Sequence, residues 1–184
     1  MKLFAFAASL RRESLNRRLL DLVIGLLSGR HGLDVTDVPF SEVVAPNYSF
    51  DDQQATGFPA PTERLAELFR EHDGAVVVSP EYNFGIPGTL KNAIDWLSRI
   101  KPLAPRGKHM LLLSASTSLV GGNRGLWALR VPFELLGVRV YPEMYSLAQA
   151  DKAFAGDGTV REPALQERLE KLVAAYVDYG TRLS

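Results

Sequence analysis

Ser79-Pro80-Glu81-Tyr82-Asn83-Phe84-Gly85-Ile86-Pro87-Gly88-Thr89-Leu90-Lys91-Asn92-Ala93-Ile94-Asp95-Trp96 follows directly on Gly74-Ala75-Val76-Val77-Val78. The leading run is apolar and β-branched, as a parallel strand covered on both faces requires. Leu90, Ala93, Ile94 and Leu97 then recur at i, i+3, i+4 and i+7, one face of a helix. Between strand and helix lies a loop stiffened by Pro80 and Pro87, opened by Gly85 and carrying the rings of Tyr82 and Phe84. A flat ligand suits such a loop, which stands at the carboxyl end of a strand.

Working outward, strand-like runs at Leu3–Ala7, Leu33–Val38, Gly74–Ser79, Met110–Ser114 and Val138–Tyr141 alternate with helical patterns near Asn16–Arg30, Thr62–His72, Gly88–Ile100, Arg124–Leu136 and Glu162–Tyr179. Five strand-then-helix repeats in 184 residues predict one α/β domain over 1–184: a doubly wound, five-stranded parallel sheet with helices on both faces. The flavodoxin-like order 2-1-3-4-5 puts a ligand crevice between the carboxyl ends of the first and third strands. Residues Pro39 to Pro61 break the rhythm with four prolines, several aromatics and no periodicity, which fits a lid, a subunit contact or an aromatic surface loop. Pro132 predicts a kink or late start in the fourth helix.

Composition narrows the chemistry. Twenty-one basic and 21 acidic residues cancel, so no electrostatic footprint points to nucleic acid or an anionic membrane. No apolar run approaches the roughly 20 residues of a spanning helix, and the start resembles no signal peptide, so a cytoplasmic protein is expected. The absence of cysteine excludes disulfides, thiolate metal sites and a cysteine nucleophile. His31, His72 and His109 lie scattered, with no partner at metal spacing and no G-x-S-x-G elbow in the chain. Neither a metal site nor a catalytic side chain is predicted; redox chemistry would come from a bound cofactor.

The turn after the first strand, Ala8-Ser9-Leu10-Arg11-Arg12-Glu13-Ser14-Leu15-Asn16, opens a helix whose apolar face begins at Leu15. Free amides and the helix dipole favour an anion there; Ser9, Ser14 and Asn16 offer short donors and Arg11 a charged fork. The turn is neither GxGxxG nor a Walker loop, so a monophosphate fits best. Read plainly, the same residues supply a helix cap at Ser14 and two solvated arginines. Ser114-Ala115-Ser116-Thr117-Ser118, followed by Gly121-Gly122, offers a third wall rich in hydroxyls.

These blocks resemble the NADPH-dependent FMN reductase family, which includes quinone, chromate and azo-dye reductases. The family's G-S-L-R-x-x-S-x-N appears as Ala8 to Asn16, P-E-Y-N-x-S-x-P-G-x-L-K-N-A-I-D-W as Pro80 to Trp96, and S-x-S…G-G…L-R as Ser114, Ser116, Gly121, Gly122, Leu129 and Arg130. Ala8 and Gly85 depart from it, standing where glycine and serine are usual. The resemblance implies that Ser9, Arg11, Ser14, Leu15 and Asn16 hold the FMN phosphate. It also implies that Pro80, Glu81, Tyr82, Asn83 and Phe84 line the isoalloxazine and that Ser116 closes the far edge. NADPH or NADH would be co-substrate, and quinone-like, azo or metal-oxyanion compounds the small-molecule acceptors. A homodimer or homotetramer is implied too, with Tyr48, Phe50, Trp96 and Arg99 as candidate contacts. The alternative is an electron-carrying flavodoxin, a class that is commonly strongly acidic, unlike this neutral chain.

Overall fold

A computed structural model describes residues 1–183. Its parallel sheet is built from β1 (Lys2–Ala7), β2 (Asp34–Asp37), β3 (Gly74–Val78), β4 (His109–Ala115), β5 (Arg139–Val140) and β6 (Tyr145–Leu147). The order is β2-β1-β3-β4-β5, with β6 also pairing β4. Helices α1 (Leu15–His31), α2 (Phe50–Thr56), α3 (Ala60–Glu71), α4 (Gly88–Leu97), α5 (Asn123–Leu135), α6 (Ala150–Ala153) and α7 (Pro163–Thr181) complete the chain. The predicted flavodoxin-like winding is present, with one refinement at its edge. The fifth position is shared: β5 pairs His109 and Met110, and β6 pairs Leu113 to Ala115. Pro142 lies between the two halves and has no N–H to give a ladder, so the strand expected at Val138–Tyr141 stops at Val140 and resumes at Tyr145.

Every residue of β3 and β4 is buried, because the sheet is covered twice. Phe4, Phe6, Val77 and Leu112 face α3, α4 and α5, whereas Leu3, Ala5, Val76, Val78, Leu111 and Leu113 face α1 and α7. Alternation with period 2 thus sorts two core halves onto opposite faces of one sheet.

Local chemistry sets the helix ends. Ser14 caps α1 by accepting from the Arg17 amide at 3.2 Å, and Gly32 closes it with φ 64. Proline opens α3, α4 and α7, where a missing N–H costs nothing. Pro132 does not break α5, which runs through it from Asn123 to Leu135.

The segment from Pro39 to Pro61 is more ordered than its composition predicts. It holds a 3-10 turn at Phe40–Val43 and the short α2, and it is clamped to α4. Asn92 accepts from the Tyr48 amide at 2.8 Å and donates to the Ala45 and Pro46 carbonyls, while the Trp96 indole donates to Pro46 at 2.8 Å. Trp96 is accordingly buried within its own chain, with Tyr48 edge-on at 4.9 Å, and is not the exposed contact that the resemblance implied.

Candidate functional site

The parallel register brings Ala7 beside Val78, and Val78 beside Leu113, so three loops leave the sheet at one edge. Hydrogen bonds join them immediately: Ala8 donates to the Val78 carbonyl and Ser79 to the Leu113 carbonyl, both at 2.9 Å. Ser116, beyond β4, donates to Leu147 at 3.1 Å.

The first loop ends in a helix N-terminus. The amides of Leu15 and Asn16 belong to the first turn and have no intrahelical acceptor. Ser14 is buried beneath them as the cap, and Ser9 accepts weakly from the Arg11 amide at 3.4 Å. Arg11 is exposed, and among the described residues it takes part in no ion pair. Arg17, which the sequence did not single out, is committed: its guanidinium grips both oxygens of Asp37 at 2.7 Å and also bonds Asp21. Those carboxylates raise its pKa, with the Asp37 bond the largest cause, so it stays charged at any relevant pH. The arrangement ties the end of β2 to α1 and leaves Arg11 and its neighbour Arg12 as the cations open to an anion at this turn. A cleft of about 350 Å³ lined by Ser9, Leu10, Arg11, Arg17, Asp37 and Phe40 adjoins it.

Asn16 points elsewhere than toward a phosphate. Its side chain is buried and makes a two-way clamp with β4, donating to the Ala115 carbonyl and accepting from the Ala115 amide, each at 3.0 Å. With both amide atoms satisfied, the Asn16 side chain holds the first loop against the strand end that leads to Ser116.

The second loop contains a feature that no sequence pattern announced. Tyr82 and Gly85 exchange two backbone hydrogen bonds, of 3.2 and 2.9 Å, around Asn83 and Phe84, whose φ angles are 50 and 63. Positive φ at both central residues defines a primed turn, for which Asn is well suited and Phe is not. A left-handed conformation costs a non-glycine residue roughly 1–2 kcal/mol, so Phe84 is held there by its surroundings. Arg124 stacks on its ring at 4.2 Å. Gly85 is not the flexible position: it lacks positive φ, and an added Cβ would meet nothing closer than the Tyr82 oxygen at 3.7 Å. Within the chain, the serine usual at this position would fit. Tyr82, Asn83 and Phe84 present their side chains to solvent at this edge, while Pro80 is buried and Glu81 partly so.

Glu81 connects the second loop to the third. Its Oε2 accepts from the Gly125 amide in the first turn of α5 at 2.8 Å. The N-cap of α5 is Gly122, which has no side chain to cap with, so Glu81 supplies the missing acceptor from a distant part of the chain. Gly122 leaves no room for a side chain, and Gly125 fits tightly. A Cβ on Gly122 would lie 2.0 Å from the Ser114 hydroxyl, with φ 87 besides, and one on Gly125 would lie 3.1 Å from the Glu81 Cβ. Ser116 sits nearby with its hydroxyl bonded to Ser118 at 3.1 Å. The motif residues Glu81, Ser114, Gly122 and Gly125 are thus one brace, a relation visible only once strands three and four lie side by side.

The protonation of His109, Tyr145 and Tyr176 is perturbed by burial in the core. Burial lowers His109 to about 4 and raises Tyr145 to about 12, and Tyr176 is pushed well up by the same cause. Among the described residues no three His, Asp or Glu side chains gather as metal ligands, and no helix is long and apolar enough to cross a membrane.

An α/β sheet in this order, with a helix-opened turn, a braced aromatic turn and a hydroxyl-rich loop at one carboxyl edge, defines a flavodoxin-like protein. Residues 1–152 match the family described as NADPH-dependent FMN reductase, and the chain belongs to that family. A quinone reductase of Escherichia coli K12 is 38% identical over 140 residues, covering 75% of this chain and 74% of that one. An NAD(P)H-dependent FMN reductase of Pseudomonas aeruginosa is 32% identical over 185 residues, covering 100% and 97%. Among solved structures, the flavoenzyme NAD(P)H:(acceptor) oxidoreductase FerB of Paracoccus denitrificans superposes with a TM-score of 0.83 at 27% identity, covering 98% of this chain and 97% of its own. Family membership makes the chain an oxidoreductase that works with FMN and NAD(P)H.

Proposed function

We propose that this chain is an NAD(P)H:quinone oxidoreductase in which FMN lies along the edge just described. The phosphate falls to the first-turn amides of α1 with Ser9, Ser14 and Arg11, and the ring system to the Pro80–Phe84 turn and the Ser116 loop. The observation that carries this reading is the strained Asn83-Phe84 turn, held open to solvent beside a helix N-terminus that retains unpaired amides and an unpaired arginine. Strain held at an exposed loop, with two backbone bonds and a stacked guanidinium maintaining it, fits a preorganised binding wall.

Bound FMN supplies the two-electron chemistry, for which the chain's own side chains have no equivalent. The protein's share is orientation and charge: the α1 dipole and Arg11 hold an anion, the Glu81 and Asn16 clamps fix the three loops relative to one another, and Tyr82 and Phe84 border the space for nicotinamide and acceptor. Relatives named as quinone reductases favour quinone-like acceptors, with azo dyes and metal oxyanions as further candidates.

Initial rates with NADH and NADPH against benzoquinones, naphthoquinones, an azo dye and chromate test the proposal on FMN-loaded protein. Steady nicotinamide consumption with a quinone, without any added reductase, is expected. Stable FMN binding with no turnover on any acceptor would instead identify an electron carrier.

A further inference from the structure

The loops that leave β3 and β4, residues 79–87 and 116–122, contain a single charged side chain, that of Glu81. The charges of the first loop, Arg11, Arg12 and Glu13, lie at the end given to the phosphate. A carboxylate therefore stands alone at the end given to the ring system.

Its charge is more than the brace to α5 requires. Neutral hydroxyls cap the other helices: Ser14 accepts from the Arg17 amide on α1, and Ser49 from the Asp52 amide on α2. Glu81 uses only Oε2 on the Gly125 amide, and among the described residues no cation pairs with it. Arg124, the nearest cation along α5, is exposed and stacked on Phe84. The Glu81 stem is also pinned. A Cβ on Gly125 would lie 3.1–3.2 Å from its Cα, Cβ and Cγ, so the first turn of α5 closes directly onto it. Glu81 is half-buried, and its neighbours Pro80 and Gly125 are buried. A fixed, unpaired charge with part of its solvent excluded keeps more of its field than a mobile surface charge does. The α5 dipole offsets about half of a unit charge and leaves the balance negative.

That sign bears on the redox step. Hydride transfer from NAD(P)H carries two electrons and one proton, so the ring of FMN gains one negative charge while the nicotinamide leaves as NAD(P)+. Returning those two electrons and that proton to a quinone, with a second proton from solvent, yields the hydroquinone and discharges the ring. A negative charge fixed nearby opposes the first step and favours the second.

We propose that Glu81 lowers the reduction potential of the bound flavin, its charge biasing the ring toward giving electrons to the acceptor. The assignment rests on the FMN placement proposed above. It makes Glu81 a positioning residue that acts through its field as well as through the brace.

Spectroelectrochemical titration of the FMN-loaded full chain separates the two roles. Glu81→Gln keeps an acceptor for Gly125 and removes the charge, whereas Glu81→Asp keeps the charge and shortens the brace. The Gln variant should favour reduced over oxidised FMN about 10-fold more than wild type, a rise of about 30 mV in midpoint potential for a two-electron couple. The Asp variant should stay within about 2-fold of wild type despite its weaker brace. A Gln variant with the wild-type potential would overturn the proposal, and so would an Asp variant that shifts as far as Gln. Wild-type protein that takes up no FMN would overturn the placement of the cofactor and this assignment together.

Discussion

Replacing Glu81 by alanine removes a helix cap that crosses between two loops, and the cost can be worked from the contact. The wild-type carboxylate accepts a 2.8 Å bond from the Gly125 amide at the start of α5, where Gly122 has no side chain to take its place. A hydrogen bond to a charged group contributes about 1.5–3 kcal/mol, and Gly125 is buried, so water replaces it poorly. Taking about 2 kcal/mol and a urea dependence of about 2 kcal/mol/M, the midpoint for Glu81→Ala should fall by about 1 M. The melting temperature should drop by about 4–8 °C for a chain of this size. Glu81→Gln keeps an acceptor of the same length and loses only the charge–dipole part, about 0.3–1 kcal/mol. Equilibrium urea unfolding of the three proteins, followed by circular dichroism, should therefore rank wild type above Gln above Ala. Amide exchange across residues 122–127 should quicken in the same order. An alanine variant within 0.5 kcal/mol of wild type would show the carboxylate to be merely solvated and would refute the brace between the second and third loops.

Asn16→Asp should destabilise by about 3 kcal/mol, because the Ala115 carbonyl loses its donor and faces a buried carboxylate; thermal unfolding at pH 7 measures it. Arg11→Ala should weaken FMN binding by about 1.5–3 kcal/mol in a fluorescence titration and leave stability untouched, since Arg11 is exposed; unchanged affinity would remove it from the site. His109 gives a pH dependence. The Ala75 carbonyl can only accept, so the Tyr176 hydroxyl donates to it at 3.1 Å and accepts from His109 Nδ1–H at 2.8 Å. This fixes the neutral tautomer with Nε2 buried and unpartnered. Burial is the main reason its pKa falls to about 4 from the ordinary 6.5. A histidine lowered on folding resists protonation in the native state. Its stability contribution is thus intact above pH 6.5 and is lost as pH falls from there toward 4, by up to about 3 kcal/mol. Urea midpoints at pH 7, 5.5 and 4.5 should show that slope in the wild type, and His109→Asn should flatten it.

Much of this was legible in the chain. Alternating β-branched runs and helical faces fixed the winding because a parallel strand buried on both sides has a composition of its own, and Gly74–Val78 displays it without ambiguity. The edge where a ligand would lie followed from topology and the loop motifs. The split fifth strand was less visible, since β6 pairs only through its neighbour β4 and Pro142 marks an interruption without saying that pairing resumes.

By itself, then, the sequence determined which loops gather at one end of the sheet, because hydrophobic periodicity and handed crossovers are local properties summed along the chain. Only the tertiary structure decided what each side chain does there. Asn16 turned to β4, Glu81 to a helix 44 residues away, and Arg17 to Asp37, each choosing a partner remote in sequence. Asn83 and Phe84 took left-handed backbones because the Tyr82–Gly85 bonds and a stacked arginine outweigh their intrinsic preference. A buried polar group must find a partner, but which partner depends on what the fold brings within 3 Å, and a motif read in one dimension does not carry that distance.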